Sequence, residues 1–226
     1  GARITAVERR AKYLLFRLDT DATLMLHLGM SGSLRVLPAD TPIRKHDHFD
    51  LELDSGQMLR FNDPRRFGSL HLIEGDPSQH ALLRALGPEP LDASFDADYL
   101  WQRTRKRRVA IKQFVMNAQV VVGVGNIYAS EALFRARVRP GRAARLLKRS
   151  EVEAIVESIK SVLAMAVKVG GTTLRDYVGA DGSPGYFRQK LFVYERAGES
   201  CRTCETPIRQ RVQGQRSTYW CPTCQR

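Results

Sequence analysis

All four cysteines of the chain stand in one pattern: Cys201-x2-Cys204, sixteen intervening residues, then Cys221-x2-Cys224. Two C-x2-C pairs at such a distance match the spacing of a tetrahedral zinc site. Each pair sets two thiolates on a tight turn, and the intervening stretch is long enough for a hairpin that brings the turns together. The competing reading is two disulfides. Short x2 loops strain a disulfide, and the opening Gly1-Ala2-Arg3-Ile4 has no basic segment leading into an apolar one, so export is not indicated. The expectation is one structural Zn2+ on Cys201, Cys204, Cys221 and Cys224 in a cytosolic chain with reduced thiols. Four thiolates leave no open coordination position. The metal is therefore expected to brace the hairpin that carries Arg216-Ser217-Thr218-Tyr219 rather than to react.

Charge narrows the partner. At 226 residues the chain is long enough for one or two domains, and its formal net charge is +12 with a pI near 10. Such an excess of Lys and Arg favours a polyanion, most often nucleic acid. A membrane partner is not expected: the richest apolar run, Val120-Val121-Val122, is ended at once by Gly123.

The pattern of the chain changes twice. Residues 3–73 hold short strand-like runs, Tyr13 to Leu18, Leu24 to Leu28, Phe49 to Leu53 and Met58 to Phe61, separated by turn formers such as Asp19-Thr20-Asp21 and Asp54-Ser55-Gly56. That is the signature of an antiparallel sandwich or barrel. After Gly87-Pro88-Glu89-Pro90 the period becomes helical, predicting helices from Asp96 to about Asn117, Ile127 to Arg137 and Ser150 to Val169. Ser150 and Glu153 are spaced as a capping box for the third. From Phe192 onward a strand pattern returns. The class is α+β, read as a β-sandwich domain over 1–88, a helical DNA-binding domain over 89–190, and a zinc finger over 191–226.

Several segments have the chemistry of an anion or base reader. Arg103 to Arg108, with Lys112, is the densest positive charge; like charges at helical spacing repel unless an anion compensates them. Gly123-Val124-Gly125-Asn126 leads into a helix whose free N–H groups suit a phosphate, although Tyr128 at the third glycine position excludes a dinucleotide motif. Asp63-Pro64-Arg65-Arg66-Phe67-Gly68 presents guanidinium groups beside an aromatic ring: the Arg can bond a base edge while the Phe wedges the stack. Gly29-Met30-Ser31-Gly32-Ser33 puts an apolar Met on a loop. His46 and His48 are weak as metal ligands, and a phosphate contact or a structural role suits them better. Lys12 reads as a basic strand residue.

In order, Ala11-Lys12-Tyr13-Leu14-Leu15, the run from His27 to Ser33, Lys45-His46-Asp47-His48, Asp63 to Gly68, Leu86 to Pro90, Val122 to Tyr128 and the terminal cysteine hairpin resemble bacterial formamidopyrimidine-DNA glycosylases over essentially the whole chain. The resemblance implies a β-sandwich, a helix–two-turn–helix domain and a zinc hairpin. It implies a monomeric base-excision repair enzyme of the bacterial cytoplasm and nucleoid. Its partner would be double-stranded DNA that carries oxidised purines, such as 8-oxoguanine or formamidopyrimidines, or abasic sites. On the family pattern Met30, Arg65 and Phe67 fill the stack vacated by the flipped nucleotide, with Arg65 facing the orphaned cytosine. His46, Arg107, Lys112, Asn126 and Arg216 contact phosphates. Lys12 assists elimination near the lesion's sugar, Arg216 serves the second elimination, and a loop over about 173–186 caps the flipped base.

In that family the nucleophile is the amine of an N-terminal Pro, followed by a Glu that acts as acid. This chain opens Gly1-Ala2, so neither residue is present, and the resemblance implies a shortened sandwich. For the 226 residues by themselves the expectation is DNA binding without base release, with weak lyase action through Lys12. The alternatives are a non-catalytic zinc-ribbon DNA-binding protein and a sister glycosylase for oxidised pyrimidines. The Met30 loop and the Arg65/Phe67 turn go beyond what a ribbon needs.

Overall fold

The computed structural model describes residues 1–168 and 191–226. The expected capping loop over 173–186 lies outside the described residues. The described chain forms two compact units, residues 1–84 and residues 85–168 with 191–226.

The first unit is all β. Strands β1 (Ile4–Arg10), β2 (Tyr13–Leu18), β3 (Ala22–His27) and β7 (Ser69–Glu74) form one antiparallel sheet in the order β1-β2-β3-β7. Strands β4 (Ser33–Pro38), β5 (Asp47–Glu52) and β6 (Gln57–Asn62) form another, with β6 central. Alternation selects the core: Phe16, Leu26 and Phe61 are buried, packed on by Leu14, Leu24, Leu34, Phe49 and Leu59, with Phe49 stacked on Phe61 at 5.1 Å. Lys12 is not a strand residue. It occupies the β1–β2 turn after Ala11, whose φ is 54°, and is exposed.

The second unit is helical. Its helices are α1 (Ala97–Thr104), α2 (Ile111–Val115), α3 (Asn126–Arg135) and α4 (Arg149–Lys168). The single helix expected from Asp96 to Asn117 is broken. The Asp96 carboxylate caps α1 by accepting from Tyr99 N at 2.7 Å, and the Thr104 hydroxyl bonds back to Trp101 O at 2.7 Å. The backbone of 107–111 then leaves the helix to pair with 142–145: Ile111 N to Arg142 O at 2.8 Å, Ala144 N to Val109 O and Arg145 N to Arg107 O, both 2.9 Å. A crowded run of cations followed by β-branched Val109 favours that tie over continued helix.

The capping box is displaced as well. α4 starts at Arg149, and Glu151, not Glu153, reaches back to Lys148 N at 2.7 Å; Ser150 is already helical, and Glu153 pairs with Arg149. The buried stripe of α4 is Val152, Ile155, Val156, Ile159, Val162, Leu163 and Ala166, a helical period. The expected strand pattern from Phe192 is confined to the hairpin of β8 (Arg209–Gln213) and β9 (Arg216–Trp220); residues 192–208 are turns and loop.

Candidate nucleic-acid interface and zinc centre

In the first unit Met30, Arg65 and Phe67, which the sequence reading assigns to a wedge, sit on two loops locked to each other. Asp63 is 1% exposed. Its carboxylate accepts from the Ser31 hydroxyl at 2.8 Å, from Gly68 N at 2.8 Å and from Arg65 N at 3.3 Å. Burial alone would raise its pKa, but these donors outweigh it and hold the carboxyl below its ordinary value. The loop backbones also touch. Gly29, at φ +69°, leaves no room for a Cβ, which would lie 2.6 Å from Gly68 N and from Phe67 C. Two turns of opposite origin are thereby fused into one rigid ridge.

The crest of the ridge is apolar and cationic. Met30 is 61% exposed and Phe67 57%, while Arg65 lies over the Phe67 ring at 5.1 Å. Large apolar side chains are held out into solvent on a braced support, as a wedge into stacked bases requires. Lys12 stands beside it. The His27 ring packs tilted against Tyr13, centroids 4.9 Å apart, and His27 accepts from Gly29 N at 3.1 Å through Nδ1. Burial first, and then the charge of Lys12, push the His27 pKa down, with a backbone hydrogen bond to Phe67 opposing them. His27 thus links the Lys12 turn, the Met30 loop and the Phe67 turn.

His46 and His48 do not form a metal pair. The His48 Nε2 bonds Asp63 O at 2.8 Å, while exposed His46, at φ 74°, accepts from Asp63 N at 3.0 Å through its carbonyl. Among the described residues the only group placed to hold a metal is the four cysteines.

Their Sγ atoms all lie within 4.8 Å of one another, with Cys201–Cys224 at 3.9 Å, Cys204–Cys221 at 3.4 Å and Cys204–Cys224 at 3.4 Å. A tetrahedral Zn–S4 centre has edges of about 3.8 Å, from Zn–S bonds of about 2.3 Å. Backbone N–H groups of Thr203 and Cys224 point at the Cys201 and Cys221 sulfurs, both at 3.4 Å. The hydrogen bond to Thr206 brings the Cys204 thiol down to about 6, whereas burial pushes Cys221 and Cys224 up. Four thiolates so close need a cation to neutralise them, and one structural Zn2+ fits.

The zinc knuckles are bolted to the helices. Gln225 is 1% exposed; it accepts from Cys221 N and donates to Val138 O, both at 2.9 Å. Glu131, 2% exposed, takes three backbone N–H groups, Phe192 and Val193 at 2.9 Å and Tyr194 at 3.0 Å. No sequence signal marked Glu131 or Gln225, because their partners are backbone groups distant in the chain.

The hairpin turns through Gly214 and Gln215, both with φ near +60°, as a two-residue I′ turn demands, and this leaves Arg216 exposed at its tip. Behind it, Ser217 O accepts from Lys112 Nζ at 2.9 Å and from Asn126 Nδ2 at 3.1 Å, and Lys112 also donates to Thr218 Oγ1 at 2.8 Å.

Lys112, read from the sequence as a phosphate contact, is 1% exposed, and its ammonium holds the hairpin through Ser217 O and Thr218 Oγ1. Burial first, then Arg216, lower its pKa to about 8. Asn126 opens α3, so its side chain serves the hairpin while its N–H faces the free end of the helix. In the basic run, Arg105 stacks on Trp101 at 3.4 Å and bonds Leu147 O at 3.1 Å, whereas Lys106, Arg107 and Arg108 are exposed.

Three family models match the chain: the formamidopyrimidine-DNA glycosylase N-terminal domain over residues 1–70, its H2TH domain over 86–178, and a zinc finger found in FPG and IleRS over 198–226. The formamidopyrimidine-DNA glycosylase of Thioalkalivibrio sulfidiphilus is 63% identical over 226 residues, covering 100% of this chain and 83% of that protein. That of Alcanivorax borkumensis is 55% identical over 223 residues, 99% of this chain and 82% of that protein. Of solved structures, MutM (FPG) from Thermus thermophilus aligns with a TM-score of 0.90 at 40% identity, over 100% of this chain and 84% of that one. The Lactococcus lactis FPG complex with Fapy-dG-containing DNA gives 0.90 at 33% identity, over 100% and 83%. The chain belongs to the formamidopyrimidine-DNA glycosylase family.

Proposed function

We propose that the protein carrying these residues excises oxidised purines from duplex DNA and cleaves the abasic site left behind. The observation that carries this reading is the Asp63-locked ridge of exposed Met30, Arg65 and Phe67 with Lys12 beside it. Solved relatives support the substrate class: MutM is described with carbocyclic 8-oxo-G DNA, and the Lactococcus lactis protein with Fapy-dG and abasic-site DNA. Extruding a base costs a few kcal/mol of stacking and pairing, which inserted Met30 and Phe67 partly offset while Arg65 bonds the orphaned base.

In the elimination, an enzyme amine condenses with the C1′ aldehyde of the abasic sugar and water leaves; the resulting Schiff base draws electrons, so the C2′ proton is lost and the 3′-phosphate departs. Lys12 supplies a cationic amine next to that sugar, Arg216 serves the later elimination, and His46, Arg107 and Asn126 meet phosphates. We assign residues 1–88 to lesion reading, 89–190 to the DNA backbone and 191–226 to the zinc hairpin. The protein acts as a monomer on the bacterial nucleoid in the cytoplasm; no described helix is long and apolar enough to cross a membrane.

The test uses duplex DNA with a preformed abasic site, where no base remains to be released. Strand cleavage is expected, falling about 10-fold or more in Lys12→Ala, within the usual range for losing a positioned acid–base group, with binding retained. Cleavage indifferent to Lys12, or none, would contradict the enzymatic reading and leave a DNA-binding protein.

A further inference from the structure

The strands of the smaller sheet turn one face to the sandwich core, through Leu34, Leu59 and Phe61. On the opposite face lies a cavity of about 240 Å³, which none of the roles above uses. Ser33, Arg35 and Leu37 of β4 line one side of it, Arg60 and Asn62 of β6 the floor, and the connection from Thr41 to Asp47 the other side.

The floor is built and saturated. Arg60, 5% exposed, makes a two-pronged pair with Asp50 at 2.8 Å on both prongs and donates to Pro42 O at 2.8 Å. Asn62 donates to Lys45 O at 3.0 Å and to the Asp47 carboxylate at 2.8 Å, which also accepts from Arg44 N at 2.7 Å. These bonds pin the 41–47 connection over the sheet before any ligand arrives.

The rim is cationic and exposed. Arg35 stands directly opposite Arg60 across β4 and β6, a like-charge cross-strand pair that a structural role does not explain. Arg60 has its carboxylate. Arg35, Arg44 and Lys45 are exposed and have no ion pair within 4 Å and no side-chain hydrogen bond among the described residues, Arg44 acting on Asp47 only through its charge, and all three line the same cavity. With Arg60 and Asp47 the lining carries four cations against one anion, and the hydroxyls of Ser33 and Thr41 add two donors. Concentrated cations around a preformed hollow are the chemistry of a phosphate site.

We propose that this cavity binds a phosphate group through Arg35, Arg44 and Lys45. The group comes from a free mononucleotide or from the backbone of bound DNA, and the two sources separate experimentally. The full 226-residue chain is titrated with inorganic phosphate and then a 5′-mononucleotide, at constant ionic strength, following the Nε–Hε signals of Arg35 and Arg44 in the wild type. Saturable shifts of both signals are expected, with affinity reduced at least about tenfold in the Arg35→Gln/Arg44→Gln/Lys45→Gln variant, as loss of charge-assisted bonds implies. The wild-type signals keep the test valid if the variant folds poorly.

Duplex binding then identifies the source. Occupancy by DNA lowers the slope of log K against log salt by roughly 0.9 for each phosphate contact removed. Occupancy by a mononucleotide leaves the slope unchanged. No saturable shift together with an unchanged slope overturns the proposal. Preference for abasic over intact duplex depends on Met30 and Phe67, so it survives failure of this site and reports separately on the reading above.

Discussion

The Asp63 carboxylate accepts a 2.8 Å hydrogen bond from the Ser31 hydroxyl, joining two loops thirty-two residues apart in the chain. That bond makes one rigid ridge of what would otherwise be two independent turns. Asp63→Ala removes the acceptor and leaves the Gly68 N–H and the Ser31 hydroxyl without their partner, while Arg65 N–H keeps the Ser31 oxygen at 3.3 Å. A loss of about 2–4 kcal/mol in unfolding free energy is expected, since each buried donor left unmade costs about 1–3 kcal/mol. Denaturant unfolding of the variant against wild type measures it.

The same carboxylate sets an acid limit. Its pKa is lower folded than unfolded, so its stabilisation is complete above the unfolded value of about 3.9 and is lost as pH falls through the folded one. The stability difference between wild type and Asp63→Asn should stay constant from pH 7 down to about pH 5 and shrink below about pH 4. A difference that shrinks near neutrality would assign the effect to another group.

Lys112 behaves oppositely. Its folded pKa of about 8 lies below the ordinary 10.5, so the folded state carries a cost for the charged form that is fully present below pH 8. Raising pH from 8 to 10.5 relieves that cost. Relative to Lys112→Met, wild type should gain stability across this window, read by denaturant midpoints at each pH. Lys112→Ala should also weaken DNA binding, because Ser217 O and Thr218 lose their tie and Arg216 its fixed position.

Zinc removal should act at a distance. A chelator is expected to release one equivalent of zinc per chain, loosen the β8–β9 hairpin and lower DNA affinity, while the sandwich core around Phe61 stays folded. Metal analysis with circular dichroism checks this; full DNA affinity in metal-free protein would contradict it.

The zinc ligands, the strands of the sandwich and the turns around Met30 and Phe67 were legible in the sequence because each rests on local spacing: x2 between thiolates, period two in Tyr13 to Leu18, glycines flanking the two turns. What was not legible depends on tertiary pairing. The helix from Asp96 breaks because residues 107–111 find backbone partners at 142–145, over thirty residues away. Lys112 reads in the sequence as a phosphate contact at the end of a cationic run, yet its ammonium finds a carbonyl more than one hundred residues on. Periodicity carries no information about either partner.

The ridge would work through two exposed side chains, Met30 and Phe67, and a binding titration reads their effect on DNA. Fluorescence anisotropy compares a duplex holding a stable abasic-site analogue with the same duplex intact, for wild type and for Met30→Ala/Phe67→Ala. Both side chains are exposed, so folding stability should change by no more than about 0.5 kcal/mol. Wild type is expected to prefer the abasic duplex and the double variant to lose about 10-fold or more of that preference, since stacking an aromatic against a base contributes about 1–3 kcal/mol. Equal preference in wild type and variant would contradict this expectation.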